Sequence, residues 1–130
     1  MAAQDDYMTL TRVGSGTPMG ALLRRYWLPA VMSEQLPDRG GAPVRVRLLG
    51  ENLVAFRDPE GSLGLVKEHC PHRGASLAYG RNEVGGLRCL YHGWKINMQG
   101  SIVETPAEFC GPTWGRRSSS PLFLAFRGLI

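Results

Sequence analysis

Over residues 44–104 apolar and polar positions alternate in short runs, broken by turns rich in glycine, proline and asparagine. In Val44-Arg45-Val46-Arg47-Leu48 each apolar residue is separated from the next by an arginine. An extended segment with that pattern buries one face and wets the other. Gly50-Glu51-Asn52 predicts a turn, and residues 53–57 the returning strand. Asp58-Pro59-Glu60-Gly61 has proline second and glycine fourth, which suits a type I turn. Residues 63–68 read as a third strand, 76–79 as one helical turn, and 82–86 as a further turn. A strand over 87–90 follows, then a hairpin of residues 95–97 and 101–104 about Met98-Gln99-Gly100. Short strands at this spacing predict a small antiparallel all-β domain, a sandwich or barrel.

The period differs near the N-terminus. Thr17-Pro18 reads as an N-cap followed by proline at the first helical position. Met19, Leu22, Leu23 and Tyr26 recur at helical spacing, so a short helix to about residue 26 is expected. Tyr26, Trp27 and Leu28 read as residues that cover the core, since aromatics at such spacing usually pack. Residues 1–17 show no such pattern and read as loosely ordered, and residues 36–42 as a loop. The organisation expected is a lead-in over 1–35, a β-domain over 36–108 and a tail over 109–130. That tail, FCGPTWGRRSSSPLFLAFRGLI, has a serine-rich break and an apolar end without period-2 alternation. Unpacked, residues 122–130 would form an exposed apolar patch.

Composition narrows the function classes. At 130 residues the chain supports one domain with a modest core. The net charge of +4 has a local source at Arg116 and Arg117. It makes no basic face with aromatic readout, so nucleic-acid binding is not expected. Arg24, Arg25, Arg45 and Arg47 read as solvated faces. MAAQDDYMTL carries acids where a signal peptide needs positive charge and an apolar run. The apolar stretch at 122–126 is far short of the about 20 residues that span a bilayer. A cytoplasmic location without a membrane segment is the expectation. Three cysteines offer no disulfide framework, and Cys110 reads as a plain thiol.

The chemistry sits in EHCPHRGASLAYGRNEVGGLRCLYHGWKI, residues 68–96. Cys70-x-His72 is followed, after sixteen residues, by Cys89-x-x-His92. Each of these two knuckles offers one sulfur and one imidazole, the residue types of a metal site. Zinc fingers usually take both sulfurs from one knuckle and both imidazoles from the other. Here the types interleave. Facing knuckles would bring Cys70 to Cys89 and His72 to His92, two thiolates for one iron and two imidazoles for a second. Pro71 stiffens the first loop, and Gly74 lets backbone come close to a bound group. His69 points to the opposite face if the segment is extended, and reads as a surface or neighbouring residue.

The interleaved ligands, with CPHRG and YHGW around them, resemble the Rieske family. The resemblance implies one Rieske-type [2Fe–2S] cluster bound by Cys70, His72, Cys89 and His92. Arg73, Gly74, Tyr91, Gly93 and Trp94 would surround it, with Trp94 under the second knuckle and Arg73 available for docking. Respiratory-chain members add a disulfide cysteine in each knuckle; here those positions are Ala75 and Tyr91. They also place serine and tyrosine hydroxyls after the second histidine, where this chain has Gly93, Trp94, Lys95 and Ile96. Fewer hydrogen bonds to the cluster imply a potential near the low end of the range, about −150 mV. The lead-in TRVGSGTPMGALLRRYWLPA resembles the oxygenase subunits of phthalate-dioxygenase type. The implied role is electron transfer in an aromatic-ring-hydroxylating or demethylating oxygenase. A flavin/iron–sulfur reductase or a ferredoxin would be the donor, and an oxygenase catalytic domain the acceptor. The histidine iron would face outward, passing the electron through the imidazoles with a coupled proton.

Three histidines leave only His69 once the cluster is ligated, so a two-histidine, one-carboxylate iron site is not available in this sequence. The resemblance stops near residue 108. A frameshifted or truncated reading frame is one account of the tail, and a divergent last strand another. A stand-alone Rieske ferredoxin and a zinc-stabilised interaction module are the alternatives to the oxygenase component.

Overall fold

A computed structural model describes residues 2–106. The tail and Cys110 lie outside the described residues. Strands β1 (Val44–Leu48), β2 (Glu51–Arg57) and β3 (Leu63–Lys67) form an antiparallel meander in the order β1-β2-β3. A turn at the expected place closes β2 onto β3, with Gly61 N–H donating to Asp58 O at 2.9 Å. The arginines of β1 alternate outward as their spacing requires. The central strand is covered on both faces, so Leu53, Val54, Ala55 and Phe56 are all buried. Gly64 faces Phe56 across the ladder, and a Cβ there would lie 2.4 Å from the ring.

The second sheet consists of β4 (Arg81–Glu83), β5 (Gly86–Arg88), β6 (Lys95–Asn97) and β7 (Ile102–Glu104), again a meander in chain order. Strand β4 replaces most of the turn expected over 82–86. The turn is only Val84-Gly85, with Gly85 at φ 79°. Arg-Asn-Glu carries no apolar alternation, so its pattern could not announce a strand. It is held instead by backbone pairing and by Asn82, whose amide donates to Gly41 O and Arg57 O at 2.9 and 2.7 Å.

Both sheets share one core. Val54, Phe56 and Val66 of the first meet Leu87 and Ile96 of the second, with Leu77, Trp94, Cys70 and Cys89 between them. Asp58 links the sheets in a second way. It is buried, and its carboxylate accepts from Ser62 N at 2.8 Å and from Gly85 N at 3.1 Å. A buried carboxylate tolerates such a position because backbone donors replace its water.

Two helices precede the sheets. In α1 (Ala2–Thr11) and α2 (Pro18–Leu23), only the second follows the sequence pattern. Thr17 caps α2, its Oγ1 accepting from Gly20 N at 3.1 Å. Helix α1 corrects the expectation of a loose N-terminus. Gln, Met and Leu are good helix formers, and Asp5 in the first turn complements the dipole. Tyr26 and Trp27 are a second correction: they are 62% and 68% exposed rather than packed on the core. Arg24 is a third. Its guanidinium is ion-paired with Glu51 and donates to Val13 O and Gly20 O, which fastens α2 to the start of β2. Arg45 is paired too, with Glu68 at 2.7 Å and over the Tyr79 ring at 4.8 Å.

Candidate metal centre

The two knuckles hang from strand ends and fold alike. Cys70 N–H donates to Ala75 O, and Cys89 N–H to Trp94 O, both at 2.8 Å. Gly74 N–H returns to Cys70 O at 2.8 Å, and Gly93 N–H to Cys89 O at 3.1 Å. The glycine four residues past each cysteine is left-handed, with φ of 76° and 75°. Only glycine holds that conformation without strain. A Cβ on Gly93 would in addition meet Pro106 Cγ at 3.2 Å.

This shared design turns the knuckles face to face. Cys70 and Cys89 are 3% and 4% exposed, their side chains neighbours and not joined as a disulfide. Burial pushes the Cys70 thiol above its ordinary value, and the neighbouring Cys89 sulfur pushes the same way. The backbone N–H groups of His72 and Arg73 point at that sulfur and oppose the rise. Donors aimed at sulfur suit a thiolate, the form that binds metal. The rings of His72 and His92 sit 4.7 Å apart at 72°, on the more exposed side.

Chemistry of the donor set fits an iron–sulfur group. His92 Nδ1 is buried and finds no hydrogen-bond partner among the described residues. An orphaned imidazole nitrogen is costly unless something takes its lone pair or proton. A metal would. Among the described residues no three Cys, His, Asp or Glu side chains converge as a mononuclear site requires. A division of two ligands to each of two irons makes no such demand.

The residues expected around the cluster lie beside the imidazoles or on the surface next to them. Trp94 is buried, but its indole stacks on His72 of the first knuckle, 4.6 Å away and 6° from parallel. It therefore bridges the knuckles rather than flooring one. Tyr91 is exposed and lies 3.9 Å from the His92 ring. Arg73 is exposed.

Sequence reasoning missed the charged base of the second knuckle. Arg88 pairs with Glu83 at 2.9 Å and Glu104 at 2.6 Å, and Lys95 sits 3.7 Å from both carboxylates. The cross-strand pairing of β4, β5, β6 and β7 brings these side chains together. No local motif marks them. The Arg88 hydrogen bond, with help from Arg81, holds Glu83 down at about 2 from the usual 4.5. Since the folded value lies below the unfolded one, the stabilisation is complete above about pH 5 and is lost as pH falls toward 2. Wild type should therefore lose its thermal-stability margin over Glu83→Gln across that window. The margin at neutral pH should be on the order of 1 kcal/mol after solvent screening. Parallel melting curves from pH 7 to pH 2 would contradict this.

Fold and site together define a small β-domain that presents two sulfurs and two imidazoles from paired loops. The family described as "Rieske [2Fe-2S] domain" matches residues 26–115. The chain belongs to the Rieske family and carries one Rieske-type [2Fe–2S] cluster. It is 56% identical over 107 residues to the 3-chlorobenzoate-3,4-dioxygenase oxygenase subunit of Comamonas testosteroni, covering 82% of this chain and 24% of that one. It is 49% identical over 108 residues to the phthalate 4,5-dioxygenase oxygenase subunit of Pseudomonas putida, covering 83% and 25%. The crystal structure of dicamba monooxygenase bound to dicamba superposes with a TM-score of 0.62 at 29% identity, over 72% of this chain and 29% of that chain. The chain thus spans about a quarter of the length of the curated relatives it matches, their N-terminal part. The family match sets aside the zinc module. Among the described residues no helix is long and apolar enough to cross a membrane.

Proposed function

We propose that this chain is the electron-transfer domain of an aromatic-ring-hydroxylating or demethylating non-haem iron oxygenase. Residues 36–108 would be its cluster-bearing unit and 1–35 its lead-in. Cys70, Cys89, His72 and His92 are its ligands. The observation that carries this reading is the pairing of Cys70 with Cys89 and of His72 with His92 across the two knuckles, with His92 Nδ1 buried and unsatisfied. When bound, the cluster supplies a one-electron carrier. The protein supplies the rest. Cys70 and Cys89 bury the sulfur side in the core and exclude water there. His72 and His92 leave the other side near the surface, where a redox partner can approach. Trp94 fixes the His72 ring by stacking, and exposed Arg73 and Tyr91 frame the approach.

The donor would be a reductase or ferredoxin and the acceptor a mononuclear iron in a catalytic domain. Relatives named as oxygenase subunits, matched over 107 and 108 residues of this chain, favour this over a stand-alone ferredoxin. The test is an anaerobic redox titration. One electron per chain is expected, reversibly, with a midpoint near the low end of the Rieske range, about −150 mV. A midpoint near the upper end, about +300 mV, would speak for quinol-type chemistry and against this reading.

A further inference from the structure

The likeness of the two knuckles extends one residue outward. His69 directly precedes Cys70, and Arg88 directly precedes Cys89. The His69 ring nitrogen Nδ1 lies 3.1 Å from Gly74 O. Arg88 Nη1 lies 2.8 Å from Gly93 O. In each loop the side chain before the cysteine thus reaches the carbonyl of the left-handed glycine four residues beyond it. A carbonyl oxygen only accepts, so Nδ1 of His69 carries the proton in this contact.

The two clamps differ in support. Arg88 is 18% exposed and held in place by Glu83 and Glu104. His69 is exposed and rests on the β-bridge to Ser76. Both reach the same point of the loop. The glycine carbonyl follows the knuckle's histidine by two residues in the first loop and by one in the second. Fixing its peptide plane fixes the direction in which the loop offers that histidine. A sequence reading places His69 on an outward face and gives Arg88 no role; the hydrogen bonds assign both.

We propose that His69 and Arg88 are equivalent positioning residues, one per knuckle, that lock the glycine carbonyls and so set the geometry of the ligand loops. The inference rests on the proposed ligand set. His69 is the cleaner test, because Arg88 also carries ion pairs. Cluster-loaded wild type, His69→Ala, His69→Gln and Arg47→Ala are compared by EPR after reduction, and by the rate of bleaching under an iron chelator. His69→Ala is expected to bleach about fivefold faster, the factor that one hydrogen bond of ordinary strength carries. Its g-value spread should differ from wild type. His69→Gln, which retains a donor, should recover both, and Arg47→Ala should match wild type. An intact wild-type cluster with unchanged g values and bleaching in His69→Ala overturns the clamp alone. So does faster bleaching with unchanged g values and an equal loss of melting temperature in the metal-free protein, which marks a merely structural residue. A wild-type chain that takes up no iron and sulfide overturns the ligand assignment and the clamp with it.

Discussion

Cys89→Ser is expected to abolish the cluster: iron per chain should fall from about two to near zero, with loss of the visible absorption and the reduced EPR signal. The reason is local. Cys89 is 4% exposed and lies against Cys70 in the floor of the site. A serine hydroxyl is a harder ligand with a far higher pKa, and its bond to iron is shorter than a thiolate's. The second knuckle cannot shift inward to compensate. Its backbone is tied at Cys89 N to Trp94 O, at Gly93 N to Cys89 O, and through Arg88 to Gly93 O. Metal binding also contributes to folding, so the melting temperature should fall together with the iron content. Iron content within a fifth of wild type would remove Cys89 from the ligand set.

Gly86→Ala has the largest expected effect on the scaffold. A Cβ at that position would lie 2.1 Å from Ile96 O and 3.1 Å from the Cα of Asn97. Both are backbone atoms of β6, paired with β5 in register, and neither can rotate away. Relief requires the strands to separate at the point where β5 leads into Cys89. A loss of about 3 kcal/mol is expected, the upper end for overpacking. Gly85→Ala serves as the comparison. Nothing lies within 4 Å of a Cβ there, and only the φ of 79° opposes it. That conformation costs about 1–2 kcal/mol. Urea denaturation of both variants decides the matter: a midpoint for Gly86→Ala above that of Gly85→Ala would contradict the packing argument.

Those two glycines also mark what the sequence could and could not convey. Strand β1 was legible because arginines alternate with apolar residues, and the structure gives the expected bounds, Val44–Leu48. The candidate ligands stood out because thiols and imidazoles at fixed spacing have few other uses, and the structure pairs Cys70 with Cys89 and His72 with His92. Gly86 was not, since its neighbour Ile96 is ten residues away and is met only through strand register. The same holds for the Arg88–Glu83–Glu104 pairs, which exist only once β4, β5, β6 and β7 are laid side by side. Asp58 was read as a turn residue, which it is, but its second oxygen reaches Gly85 across the sheets. Tyr26 and Trp27 mislead in the other direction. Their spacing resembles a buried stripe, yet helix α2 ends at Leu23 and both rings stay exposed.

In the proposed site, four side chains on two like-folded loops hold one two-iron cluster. Iron and acid-labile sulfide analysis of anaerobically purified protein, with EPR after dithionite reduction, tests it most directly. About two irons and two sulfides per chain, with a rhombic signal of low average g, is the predicted result. Zinc in the site, or no metal after reconstitution of a folded chain, would contradict it.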